Sequence, residues 1–206
     1  MAYMIKCKDL KLPEVRKKKT KGKYAVMTKE DAKKYVYENL AEHMQITDIN
    51  QVLSTDTTEV KLEFDGKQHV SFVIDAYSTE IIADNVSKKL NIKFIQEILK
   101  TLANTHYKFQ DIIIHSDRGG MYKSSSYKEK TKELNLIPSM SAPYTCTHNP
   151  WIETINGQFK DFIKGNYPKS LNELQIVIKQ FVHYNNNIKI KPKLKMTPIE
   201  YRRHHG

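Results

Sequence analysis

The stretch "IIIHSDRGGMY", residues 112–122, decides how the rest of the chain is read. Three consecutive isoleucines mark a buried β-strand, and Gly119-Gly120 mark the turn that ends it. Asp117 therefore sits where a core strand emerges at the end of a sheet. It is either a turn residue or a ligand held on a rigid strand.

Working outward, "QVLSTDTTEVKLEF" (51–64), "QHVSFVIDAYS" (68–78) and "EIIADNVS" (80–87) are rich in Val, Ile, Thr and Phe and read as strands. "DGK" at 65–67 is the hairpin turn between the first two. "IKFIQEILKTLANTH" (92–106) sets Ile95, Ile98, Leu99 and Leu102 on one helical face. After the isoleucine strand the pattern predicts a helix around 124–135, a short strand over 137–141, and then mostly helix. "WIETINGQFKDFIKGNY" (151–167) has an apolar face of Ile152, Ile155, Phe159, Phe162 and Ile163. "SLNELQIVIKQFVHYNN" (170–186) and "TPIEYRR" (197–203) each open with capping-box spacing, Ser170/Glu173 and Thr197/Glu200, and Pro198 takes the first helical position of the second. No internal repeat and no second domain are evident. The element order is that of an α/β fold around a mixed sheet.

The N-terminal end differs. "VRKKKTKGK" (15–23) lies in a basic arm over 1–27, and "TKEDAKKYVYENLAEHM" (28–44) reads as a helix with Thr28 as N-cap and Asp31 in its first turn. The division expected is an arm and helix over 1–45 and a core with C-terminal helices over 46–206. Across the 206 residues, 34 Lys and Arg outnumber 23 Asp and Glu, a formal charge of +11, which favours a polyanionic partner, nucleic acid first. No apolar run approaches the roughly 20 residues that span a bilayer, so a membrane role is not expected. Cys7 and Cys146 define no disulfide framework, and a cytoplasmic setting is the default. Cys146 and His148 have C-x-H spacing, which alone makes no zinc site.

Three carboxylates carry the chemistry. Asp56 and Asp117 interrupt β-forming runs, where a carboxylate is costly to bury unless a partner such as a divalent cation satisfies it. Glu153 lies near the start of a helix whose Asn156, Lys160 and Lys164 follow along the same side, an acid followed by cations suited to phosphate. Taken alone, these features also describe an ordinary amphipathic surface helix and solvent-facing strand residues. Asp75 reads as structural, and His115 as a buried, hydrogen-bonded residue able to orient the site.

"NQVLSTDTTEV", "FVIDAYSTEII", "IIIHSDRGGMYKSSSY", "PSMS", "IETINGQFK" and "HYNN…MTPIEYR" occur in the order that resembles the integrase-type catalytic core of OrfB-type transposases of the insertion-sequence-three family, over about residues 39–203. Thirty-five residues separate Asp117 from Glu153, the spacing of that family's D,D(35)E motif. The resemblance implies a ribonuclease-H-like fold, with Asp56, Asp117 and Glu153 as catalytic and metal-binding acids for two Mg²⁺ or Mn²⁺ ions. Arg118, Asn149, Lys160 and Lys164 would contact DNA, with His115 and Asn156 supporting the acids. The implied reaction is metal-dependent hydrolysis at element ends followed by strand transfer. The implied partners are element-end and target DNA, further copies of the chain assembled on DNA, and a separately encoded DNA-binding protein. Two departures stand out: Leu53 replaces a usual Trp three residues before the first aspartate, and "APYTCTHNPWIE" (142–153) replaces a more basic loop. The family pattern also places a helical DNA-binding region ahead of the basic linker, where this sequence begins. The alternatives are a truncated or decayed copy acting as a basic DNA-binding protein, and a nuclease that cuts without joining.

Overall fold

Five strands form one sheet in the order β3-β2-β1-β4-β5, where β1 is Val52–Leu62, β2 Gly66–Asp75, β3 Ile81–Ser87, β4 Ile112–Ser116 and β5 Leu136–Met140. β1, β2 and β3 are antiparallel neighbours, while β4 runs parallel to both β1 and β5. The computed structural model describes residues 35–42, 44–105, 107, 109–141 and 149–205. The basic arm, the first part of the 28–44 helix, Cys7, Cys146 and His148 lie outside those residues.

Helices cover both faces. On one side pack α1 (Ile92–Ala103) and α2 (Ser125–Glu133), where Leu53, Val73 and Ile114 meet Ile95, Ile98, Leu102 and Tyr127. On the other side α3 (Pro150–Asn166) and α4 (Leu171–His183) bring Ile152, Ile155, Phe159 and Phe181 against Val60, Leu62, Phe72 and Ile74. α5 (Pro198–His205) closes the chain. Side chains alternate across a strand, so in β1 the odd positions from Leu53 face α1, and the even positions face α3.

The capping signals hold at the C-terminal end. The Thr197 hydroxyl accepts from the Glu200 N–H at 3.3 Å, and Glu200 accepts in return from the Thr197 N–H at 2.9 Å. The Ser170 hydroxyl caps Glu173 likewise, although the Glu173 carboxylate reaches the N–H of Lys169, one residue earlier than in the standard box. α4 gives way at Tyr184–Ile188 to a π-helical turn, where Asn185 and Asn186 sit against the start of β3. Asn186 both accepts from the Ile81 N–H and donates to its carbonyl, taking the place of a missing neighbouring strand.

The expected helix over 28–44 is corrected where it is described. Residues 36–39 have no regular secondary structure and 40–42 turn, with exposure alternating from Tyr35 to Glu42. The Glu38 carbonyl accepts from the Met140 N–H, and the Ser139 hydroxyl accepts from the Leu40 N–H. The open edge of β5 needs backbone partners, and that demand overrides the helical propensity of Glu, Ala and Leu.

Candidate active site

The strand register brings the two aspartates together. β1 and β4 pair Val52 with Ile113, Leu53 with Ile114 and Ser54 with His115. Continued two residues further, the same register sets Asp56 opposite Asp117, on strands spaced by about 4.8 Å. Asp56 is an even position and faces α3. Asp117 follows the parity of Ile113 and His115, and both of those lie on the Trp151 side of β4. Glu153 comes from the first turn of α3 itself, where the helix dipole favours an acid.

Electrostatics link the three. Burial pushes the Asp56 carboxyl up to about 6; the charges of Asp117 and Glu153 push the same way, against hydrogen bonds from the Thr57 N–H and the Asn156 amide. Asp56 is half-buried, whereas Asp117 and Glu153 are exposed. Among the described residues no three His, Cys, Asp or Glu side chains close into a group that would hold a metal ion, so the acids form an open set.

Neighbouring residues fix the acids. Asn156, one turn along α3 from Glu153, donates from Nδ2 to Asp56 Oδ2 at 3.0 Å, while its buried Oδ1 has no hydrogen-bond partner. Asp117 Oδ1 accepts from the Gly119 N–H at 2.9 Å. A Cβ on Gly119 would stand 2.9 Å from that oxygen and 3.4 Å from the Tyr122 ring, so only glycine allows this approach. The Tyr122 hydroxyl is buried under the strand ends without a well-formed hydrogen bond, and burial raises its pKa. The sequence reads Gly119 only as a turn residue and gives no sign of Tyr122; the glycine immediately past "SDR" is the available signal for the first.

The remaining expected residues divide. His115 is fully buried, with both ring nitrogens 2.9 Å from the hydroxyls of Ser139 and Ser141. Arg118 is half-buried and donates from Nε to the Ser141 carbonyl at 2.9 Å. Asn149, expected at DNA, is instead 7% exposed and turned into the sheet. It accepts from the Ser54 hydroxyl and donates to the Thr55 carbonyl, and it makes no side-chain cap on α3. Two buried polar groups on β1 hold its amide, and the residue positions α3 against the strand that bears Asp56. Lys160 is exposed without an ion pair among the described residues; Lys164 is exposed and bonded to Asp161 at 2.9 Å. Asp75 is fully buried and accepts hydrogen bonds from Asn50, Tyr77 and Ser78, a structural role.

Two integrase core domain models match this sequence, over residues 47–146 and 154–205. A transposase-like protein of Haemophilus influenzae is 30% identical over 158 residues, 76% of this chain and 72% of that protein. The chain belongs to the integrase-core transposases of the insertion-sequence-three family. The putative transposase InsK of the Escherichia coli element IS150 is 29% identical over 74% of this transposase core. The core spans 54% of InsK, so it corresponds to about half the length of that relative. The catalytic core of HTLV-2 integrase, solved in complex with magnesium, superposes with a TM-score of 0.58 at 17% identity, over 74% of this chain and 96% of that one. That likeness identifies the ribonuclease-H-like fold expected for the transposase core. No described helix is long and apolar enough to cross a membrane.

Proposed function

We propose that Asp56, Asp117 and Glu153 are the catalytic acids of a DNA transposase that hydrolyses a phosphodiester bond at an element end and joins the freed 3′-hydroxyl to target DNA. The observation that carries this reading is the coupling of Asp56 to both other acids from two adjacent strands and a helix on one face of the sheet.

The residues fit divalent cations. Three carboxylates offer hard oxygen donors, and Asp56 is raised first by burial and then by its neighbours' charges, an excess of negative charge that a cation relieves. The orphaned Asn156 Oδ1 adds an acceptor beside Asp56. Bound there, Mg²⁺ or Mn²⁺, in a pair, supplies activation of the attacking oxygen and neutralisation of the leaving one. The chain does the positioning. Asn156 holds the Asp56 carboxylate toward α3, Gly119 holds that of Asp117, and Asn149 locks α3 to β1 so that Glu153 arrives on the same side. Lys160, Lys164 and Arg118 hold phosphates of element-end and target DNA, with several copies of the chain assembling on that DNA. A separately encoded DNA-binding partner would add end recognition.

The test uses a supercoiled plasmid carrying the flanking element ends. Wild-type protein should nick it only with Mg²⁺ or Mn²⁺ and should transfer the nicked 3′-end. Asp56→Asn and Glu153→Gln, nearly isosteric, should lose at least about 10³-fold in single-turnover nicking, roughly 4 kcal/mol, while binding DNA in EDTA as wild type does. Robust nicking by either variant would remove the three-acid assignment. Binding without nicking would leave a DNA-binding remnant, and nicking without transfer a nuclease.

A further inference from the structure

α3 carries Glu153 in its first turn and ends at Tyr167, and its exposed stripe runs beside the far half of β1. β4 pairs with β1 only at Val52, Leu53 and Ser54, so from Thr57 onward β1 is paired on one edge alone among the described residues. Between that part of β1 and α3 lies an open groove of about 320 Å³, lined by Lys61, Lys160, Lys164, Ile163 and Tyr167, with Glu59 at its side.

The groove is positive once its pairs are counted. Glu59 is held by Lys67 at 2.5 Å, and Lys164 by Asp161 at 2.9 Å. Lys160 has no ion pair among the described residues, and Lys61 borders the groove from β1, its odd position turning the side chain to the α1 face. Tyr167 carries two costs at once. It is the C-cap of α3 at φ 42°, ψ 56°, a left-handed position that glycine fills without strain, and its side chain leaves the residue 75% exposed. Its N–H bonds to the Ile163 carbonyl at 2.8 Å, a bond that any residue would make. The cap therefore does not explain the ring. The β1–β2 turn is fastened next to it, since the Phe64 N–H donates to the Lys169 carbonyl at 2.9 Å, and Phe64 is itself 69% exposed.

An exposed aromatic ring in a groove with an unpaired lysine is an arrangement that holds single-stranded nucleic acid: bases stack on the ring whatever their sequence, and cations track the phosphates. We propose that this groove binds one extended DNA strand, with Tyr167 stacked on a nucleobase and Lys160 on a neighbouring phosphate. The inference deepens the transposase reading and rests on it for the source of the strand. Along α3, Tyr167 stands about 20 Å from Glu153 at 1.5 Å per residue. The stacked base then lies about six nucleotides from the reacting phosphate at 3.4 Å each, and fewer if the strand is stretched.

The experiment uses the full chain and an oligothymidylate strand with one 2-aminopurine, beside a duplex of the same length. Wild type and Tyr167→Phe should quench the 2-aminopurine. Tyr167→Gly suits the left-handed cap and should fold at least as stably. It should bind the single strand about tenfold more weakly, without quenching, and bind the duplex within twofold of wild type. Lys160→Ala should lower the salt slope of strand binding by about 0.7. Equal quenching by Tyr167→Gly and wild type would overturn the proposal, as would an equal loss on strand and duplex. Metal-dependent nicking is measured on the same preparations. Ring-dependent strand binding without nicking would uphold the groove while sinking the catalytic reading; nicking without ring-dependent binding would sink the groove alone.

Discussion

Asp56 and Asp75 lie on neighbouring antiparallel strands, yet the fold treats their carboxylates in opposite ways. Asp75, opposite Leu53 at the end of β2, is fully buried and surrounded by donors. Its Oδ1 accepts from the Tyr77 N–H at 3.1 Å and from the Ser78 N–H and hydroxyl at 2.8 Å, while Oδ2 accepts from the Asn50 N–H at 2.8 Å. Arg202, ion-paired to Glu80, stands 4.0 Å away. Asp56 receives a backbone bond from Thr57 and one amide from Asn156, with two like charges beside it. Donors that saturate a buried acid make it a structural fastener. An acid left short of donors beside other acids is set up for a cation, and the fold loses stability by holding it.

The largest effect that would break this contrast is on stability. Asp75→Ala should leave the N–H groups of Asn50, Tyr77 and Ser78 without their acceptor, each orphaned buried donor costing about 1–3 kcal/mol before relaxation. The expected loss is about 3–5 kcal/mol, read as a shift of the urea midpoint. Asp56→Asn should move that midpoint in the other direction in the absence of metal. Were both substitutions destabilising to a similar degree, Asp56 would be a second fastener and the contrast would fail.

The pH dependence sharpens it. Because the folded carboxyl of Asp56 sits near 6, above its unfolded value of about 4, the folded state holds that proton more tightly. Stability from this group is therefore greatest below pH 4, falls as the pH rises toward 6, and stays reduced above it. After allowance for partial exposure the drop is about 1–2 kcal/mol. Burial also raises Glu80 and Asp84, so the reading is the difference between wild type and Asp56→Asn across pH 4–7. Added Mg²⁺ should flatten that difference above pH 6, since binding to the folded state alone stabilises it. A wild-type curve parallel to that of Asp56→Asn would show that Asp56 carries no such penalty.

Much of this was legible beforehand. Strands rich in Val, Ile and Thr, the Ser170 and Thr197 caps and the apolar stripe of α3 each report a local preference that packing reinforced. Tyr35 to Glu42 misled because their helix formers carry a period-two exposure only in the presence of β5. Asn149, expected at DNA, shows a related limit: nothing nearby in sequence reveals Ser54 and Thr55, more than ninety residues away, as its partners. Periodicity likewise could not supply the register that sets Asp56 opposite Asp117. That came from the ordered motifs and from the pairing of β1 with β4.

The smallest expected effect separates two lysines on one helix. Lys160 and Lys164 share the exposed side of α3, but Lys164 already bonds Asp161, which raises its pKa, whereas Lys160 has no ion pair among the described residues. A lysine that enters a phosphate contact releases about one condensed counterion, so removing it shallows the slope of log affinity against log salt by about 0.9 on duplex DNA. Lys160→Ala should show that full change and slow nicking mainly through misplaced substrate. Lys164→Ala should shift the slope by less, because its ammonium must first leave a carboxylate. The Asp161→Asn variant should then move Lys164 toward the behaviour of Lys160, steepening the slope. Binding titrations on one duplex at four salt concentrations give all three numbers. Equal slopes for both alanine variants would mean that the Asp161 pair, as an exposed salt bridge, is too weak to matter on DNA.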